Sequence, residues 1–239
     1  METLGFMFFD LNYLLYLSPA ILLALWAQMK LKAAYGRASR HAARCGLTGA
    51  QAAQRILSQH GIVDVAIEQT RGHLGDHYDP RHRVLRLSPD VYSGRSLASL
   101  GIAAHEVGHA IQHATSYAPL AIRGALVPTA MVGTQLSWIM IIGGLVLSGM
   151  HIALGQPIAV LGIVLFGGVV LFQLVNLPVE FDASRRARQI LLTNGMIVQD
   201  EEVLVGKVLN AAALTYVAAT LTAILQLAYY VSLVMNRRD

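Results

Sequence analysis

The amino-acid sequence predicts a mainly α-helical membrane protein: about four transmembrane helices with a small cytoplasmic α+β platform that carries one histidine-rich helix. Three observations predict it. Of 239 residues, 55% are hydrophobic and only 13% charged, too few ionic groups to cover a soluble globule of this size. Four stretches stay apolar for about the 20 residues that a bilayer demands of a helix. Lys and Arg gather between those stretches and not within them. The high apolar content excludes a disordered chain. A single cysteine, Cys45, allows no intrachain disulfide and no cysteine-based metal knuckle, which suits a reducing compartment. The net charge of +4 admits an anionic membrane surface, whereas basic residues spread without interleaved aromatics argue against nucleic acid.

The first span runs from about Phe6 to Gln28, with Lys30, Lys32, Arg37, Arg40 and Arg44 close behind. It is not a cleavable signal peptide, because Glu2 and Asp10 stand where a positive region belongs and the apolar stretch from Leu11 to Trp26 is too long. The second and third spans cover about Pro128 to Met150 and Pro157 to Leu177, and the uncharged link from His151 to Gln156 makes them a hairpin. The fourth runs from about Ala211 to Met235. Of the 18 basic residues, twelve lie between Lys30 and Arg123, and four more are Arg185, Arg186, Arg188 and Lys207. Since cytoplasmic segments retain Lys and Arg, both polar segments are expected inside, and they outweigh Arg237 and Arg238 in the outer tail. The chain thus divides into a first span (1–29), a cytoplasmic platform (30–127), a transmembrane hairpin (128–177), a second cytoplasmic segment (178–210) and a last span with its tail (211–239).

Within the platform, Thr48 and Gln51 make a capping box, and Ala52, Ala53, Ile56 and Leu57 share one face of a helix expected from Thr48 to His60. Val63, Val65 and Ile67 alternate with other residues as in a strand, and Val84, Leu85 and Leu87 form a second extended run. Between them, Arg71 to Pro80 is dense in Gly, Asp and Pro and is expected as a loop. From Ser96 to about His113 the pattern is helical again.

That helix contains His105-Glu106-Val107-Gly108-His109, an HExxH motif. Four residues advance a helix by slightly more than one turn, so His105 and His109 project from one face and both imidazoles can reach one ion. Glu106 beside them is placed to take a proton from a water at the metal, the general-base role of a metallopeptidase. A catalytic zinc site takes three protein ligands. His113 continues the register, but three successive turns of one helix set their side chains along a line and cannot enclose an ion. Glu180, the first carboxylate after a long run without one, is the better third ligand; an ion pair with Arg185 or Arg186 is its alternative role.

The runs Asp76-His77-Tyr78-Asp79-Pro80, Val84 to Ser88, Ala103 to Gln112, Tyr117 to Leu120, Glu180 to Ala187 and Leu214 to Ala219 resemble, in this order, the bacterial YugP-type membrane zinc metallopeptidases. That family in turn resembles the gluzincin class, which includes the HtpX heat-shock protease and the CAAX endopeptidases and whose second motif is Glu-x-x-Ala-Asp. Glu180 and Ala183 fit that motif, while Ser184 replaces its Asp. Ser184, one turn from Glu180, can hydrogen-bond in place of the Asp, and Asp182 points away. The resemblance implies a zincin-like platform, a Zn2+ ion held by His105, His109 and Glu180, and Glu106 as base.

The expected activity is a zinc-dependent endopeptidase in the bacterial inner membrane, acting on membrane-associated or unfolded proteins near the cytoplasmic face. Glu180 follows the third span by three residues, about 5 Å along a helix, which ties the metal to the membrane surface. His77, Tyr78, His113 and Tyr216 are candidate donors to the oxyanion. The strand from Val84 to Ser88, through Val84 and Leu85, offers an edge for an extended substrate, or is plain sheet. A catalytically inactive adaptor or holdase that retains a zinc site is the alternative, and intact Glu106 argues against it. A transporter would need ionisable groups inside the spans; beyond Asp10 they hold no Asp, Glu, Lys or Arg.

Overall fold

The computed structural model describes residues 11–72 and 75–235. The start of the first span at Phe6, the acidic Glu2 and Asp10, and the Arg237-Arg238 tail lie outside the described residues. Helix α1 spans Leu11–Ala38 and α2 spans Gly49–Gln59. Strands β1 (Ala66–Gln69), β2 (His77–Asp79) and β3 (Val84–Leu87) follow, then a single turn, α3 (Pro89–Tyr92), and helix α4 (Leu97–Ala114). Three long helices complete the described chain: α5 (Ala118–Gly149), α6 (Gly155–Thr193) and α7 (Gln199–Met235).

Helices α1, α5, α6 and α7 are each long and apolar enough to cross a membrane. Among the described residues, the expected spans fall within longer helices as their apolar parts. With 39 residues, α6 is roughly 58 Å long, about twice the hydrocarbon thickness of a bilayer. It does not stop at Leu177, and Pro178 lies inside it. Two effects carry the helix on. Arg186 bonds Asp182, one turn earlier, at 2.6 Å, and Ala183, Ala187 and Leu191 form a buried stripe at helical spacing. Likewise the polar residues from Gln199 are the opening turns of α7. Asp200, Glu201 and Glu202 suit a helix N-terminus, and the Val198 N–H donates to Glu201 Oε2 at 3.0 Å.

The described residues form two compact units. One comprises those of Met1–Trp26, Ile122–Asn176 and Tyr216–Asp239. Its core gathers Ile141, Leu145, Phe166, Val169, Tyr229 and Tyr230. At the turn between α5 and α6, a Cβ on Gly144 would sit 2.4 Å from the Ala159 nitrogen, so only glycine lets the two helices approach this closely.

The other unit comprises Ala27–Ala121 and Leu177–Thr215. The Thr48–Gln51 capping box closes the start of α2, and Ala52, Ala53, Ile56 and Leu57 are buried as their spacing requires. They pack in one core with Leu85 and Leu87 of β3, Leu97, Leu100 and Val107 of α4, Leu191 of α6, and Val205 and Val208 of α7. The sheet order is β1-β3-β2, with β3 parallel to β1 and antiparallel to β2.

Three expectations for the sheet are corrected. The segment from Arg71 to Pro80 is not all loop, because β2 occupies His77–Asp79 and satisfies the second edge of β3. Asp79 holds the turn after it by accepting from the Arg81 and His82 N–H groups at 3.0 and 3.2 Å. Strand β1 begins at Ala66, beyond Val63, which is exposed, and beyond Asp64, which pairs with Arg83. Finally, β3 is the central strand: Val84 and Leu85 have partners on both sides and buried side chains. No edge remains there for a substrate.

Candidate metal centre

Helix α4 carries His105 and His109 on one face, with ring centroids 4.8 Å apart and planes at 83°. Helix α6 brings Glu180 to them. Its Oε2 lies 3.3 Å from His105 Nε2 and 3.7 Å from His109 Nε2. The three donor atoms lie within 4.8 Å of one another, and among the described residues no other cluster of three His, Cys, Asp or Glu side chains is so arranged. Ligand bonds of about 2.0–2.1 Å in a tetrahedron set neighbouring donor atoms about 3.3 Å apart. Two imidazole nitrogens and a carboxylate oxygen at this spacing fit a zinc ion.

The motif's own glycine makes the approach of α6 possible. A Cβ on Gly108 would fall 2.9 Å from the Ala183 carbonyl oxygen and 3.1 Å from its Cα, so any larger residue there would push α6 away. The unused nitrogen of each imidazole is also occupied. Ser184 Oγ lies 3.2 Å from His105 Nδ1, and Gln112 Oε1 lies 3.0 Å from His109 Nδ1. Both Nε2 atoms are thereby left facing Glu180.

Burial pushes the Glu180 carboxyl up, but hydrogen bonds and positive charge from His105 and His109 outweigh it and hold the group well below the usual carboxylate range. Burial pushes His109 down, yet its bond to Glu180, the nearby Glu106 charge and the Gln112 bond leave it raised. The anionic Glu180 therefore attracts a cation into this cluster.

Glu106 is buried beside the pair, and its Oε2 accepts from the Tyr78 backbone N–H at 3.1 Å. The Tyr78 hydroxyl lies 2.8 Å from His113 Nδ1. Burial, then the charge of Asp79, raises the Tyr78 pKa and keeps that hydroxyl protonated. His113 is thus paired with Tyr78 and is not one of the three clustered donors. Successive strand residues face opposite ways, so His77 lies on the other face of β2, exposed, with its Nδ1 on the Gly75 carbonyl oxygen at 2.8 Å. Asp76 accepts from the Ser88 N–H at 2.7 Å and from its hydroxyl at 3.1 Å, a structural role. Tyr216 is half-buried on α7 in the other unit. Two contributors escaped sequence reasoning. Gln112, three residues after His109 and so on its face of the helix, was open to discovery by spacing. The Tyr78 N–H was not, since a backbone donor leaves no mark in a sequence.

Residues 13–235 match the family described as "Putative neutral zinc metallopeptidase". Over 220 residues the chain is 46% identical to the "Putative membrane protease YugP" of Bacillus subtilis (strain 168), covering 92% of this chain and 95% of that protein. No solved structure matches the chain.

Proposed function

This chain belongs to that family of neutral zinc metallopeptidases, and on this premise we propose that it is a membrane-embedded, zinc-dependent endopeptidase. Its proposed substrates are membrane-associated or unfolded proteins, cut near the cytoplasmic face of the bacterial inner membrane. The observation that carries the proposal is the approach of His105 and His109 Nε2 to Glu180 Oε2 at 3.3 and 3.7 Å, with Glu106 alongside. His105, His109 and Glu180 would hold the ion on a zincin-like platform. When bound, zinc there supplies Lewis-acid polarisation of a peptide carbonyl and lowers the pKa of water.

The chain's own side chains do the rest. Glu106 takes the proton of the attacking water and delivers it to the leaving amine. The Tyr78 N–H holds one oxygen of Glu106, which aims the carboxylate and leaves its second oxygen for that proton. The Tyr78 hydroxyl and His113, hydrogen-bonded to one another, are the proposed donors to the oxyanion. An extended substrate would lie along β2, the edge strand whose amide reaches Glu106. The proposed topology keeps the segments 30–127 and 178–210 inside, on the distribution of Lys and Arg. Glu180 and the apolar stretch that ends at Leu177 share one helix, and this continuity supports action on chains held at the membrane.

The test is zinc content together with cleavage of a generic unfolded protein by purified wild type and Glu106→Gln. The proposal expects equal zinc in both and hydrolysis only in wild type. Equal cleavage by both would refute it, and a zinc-loaded wild type that cleaves nothing would favour the adaptor or holdase.

A further inference from the structure

We propose that Gln112 is the positioning residue of the metal centre, and that Asp182 supplies to His109, through Gln112, the carboxylate support that Ser184 cannot give to His105. The inference rests on the zinc-binding reading above. Gln112 has no exposed surface, so its amide is satisfied by protein alone. Its Nε2 donates to the Val179 carbonyl oxygen at 2.8 Å and to Asp182 Oδ2 at 3.0 Å. Both partners only accept, which fixes the orientation of the amide and turns Oε1 toward His109 Nδ1 at 3.0 Å. An amide oxygen cannot donate. His109 therefore carries a proton on Nδ1, which leaves Nε2 as the atom that would bind an ion held together with Glu180.

The same amide also sets the third ligand. Val179 immediately precedes Glu180, so one side chain on α4 holds the tautomer of one ligand and the backbone next to another. The register of the two helices supports this. Gly108 meets Ala183 and Gln112 meets Val179, contacts one turn apart on each helix, in antiparallel order. Close packing at the first contact and a buried hydrogen bond at the second fix the approach of α6. Asp182 is in turn held by Arg185 and by Arg186 at 2.6 Å, and the Arg186 guanidinium lies 5.9 Å from the Tyr117 ring centroid. The line from His109 through Gln112 and Asp182 to Arg186 is continuous. Asp182, which on sequence grounds points away from the ion, reaches His109 through Gln112, whereas Ser184 bonds His105 directly.

The experiment uses the full-length protein purified in detergent. Zinc affinity is measured by chelator competition, and the visible absorption of the cobalt(II)-substituted protein reports ligand geometry. Gln112→Met keeps most of the volume and loses both polar functions; it should bind zinc about 10- to 100-fold more weakly and alter the cobalt spectrum. Asp182→Asn keeps an oxygen that accepts from Gln112 Nε2 and should retain most of the affinity, while Asp182→Ala should lose more. Combining Asp182→Ala with Gln112→Met should add little to Gln112→Met alone, because the two act in series. A Gln112→Met protein with wild-type zinc affinity and an unchanged cobalt spectrum would overturn the inference. Equal affinities in wild type, Asp182→Asn and Asp182→Ala would overturn the part assigned to Asp182, whether or not Gln112→Met folds. A wild type that binds no zinc would instead bring down the underlying reading, and this inference with it.

Discussion

Leu85 and Leu22 are the same kind of residue with opposite fates: Leu85 has no exposed surface, whereas Leu22 is 66% exposed. Each is typical of its unit. Around Leu85, the side chains of α2, β3, α4, α6 and α7 close on one another, as the hydrophobic effect drives a chain to do in water. In the unit of Leu22, Met131, Leu161 and Val164 also face outward, and a smaller core with tyrosines holds the helices together. Outward apolar side chains over four long helices require an apolar surrounding. The two units also differ in how they use polar groups. Glu106, His109, Gln112, Glu180 and Asp182 are all buried in the first, at a free-energy cost that hydrogen bonds offset: His109, Gln112 and Asp182 bond along one line across α4 and α6, Glu180 lies against His109, and Glu106 accepts from the Tyr78 N–H. A site of exact donor spacing needs that rigid, water-excluding packing, while the spans need only length and apolarity.

The largest effect expected from this contrast is at the metal centre. Glu106→Gln should retain zinc and lose hydrolysis, while Glu180→Ala should lose most of the zinc itself. Metal analysis of both proteins beside a peptidase assay checks it; equal zinc in Glu180→Ala and wild type would remove Glu180 from the ligand set. Next comes an all-or-none result on the membrane side. Reporters fused after Arg44 or Arg188 should read cytoplasmic, and one inserted at Gly155 should read external. A cytoplasmic Gly155 would break the proposed topology.

Stability should then separate the units by several-fold. Leu85→Ala should cost about 2–5 kcal/mol, while Leu22→Ala should stay within about 0.5 kcal/mol, as measured by unfolding in detergent micelles. Similar losses would mean that Leu22 is covered by protein in solution. The smallest effect sharpens the picture of the first unit alone. Thr48→Ala removes the hydroxyl that accepts from the Gln51 N–H and should cost about 1 kcal/mol, with no change in zinc affinity.

What the sequence determined by itself was whatever depends on neighbours along the chain. Four apolar runs, the Thr48–Gln51 cap and the one-turn spacing of His105 and His109 are local patterns, governed by helix geometry and by the length of a bilayer. Glu180 was legible for a similar reason, as the first carboxylate after a long run without one. Tertiary structure decided the rest. The central place of β3 and the strand at His77–Asp79 depend on which edges meet, and strand pairing between distant segments is set by global packing. The continuation of α6 past Pro178 depends on Ala187 and Leu191 finding a core. The bond from the Tyr78 N–H to Glu106 and the line from His109 to Asp182 join residues 28 and more than 70 positions apart. No local rule reaches that far, because those contacts form only after α4, α6 and the sheet have excluded water from between them.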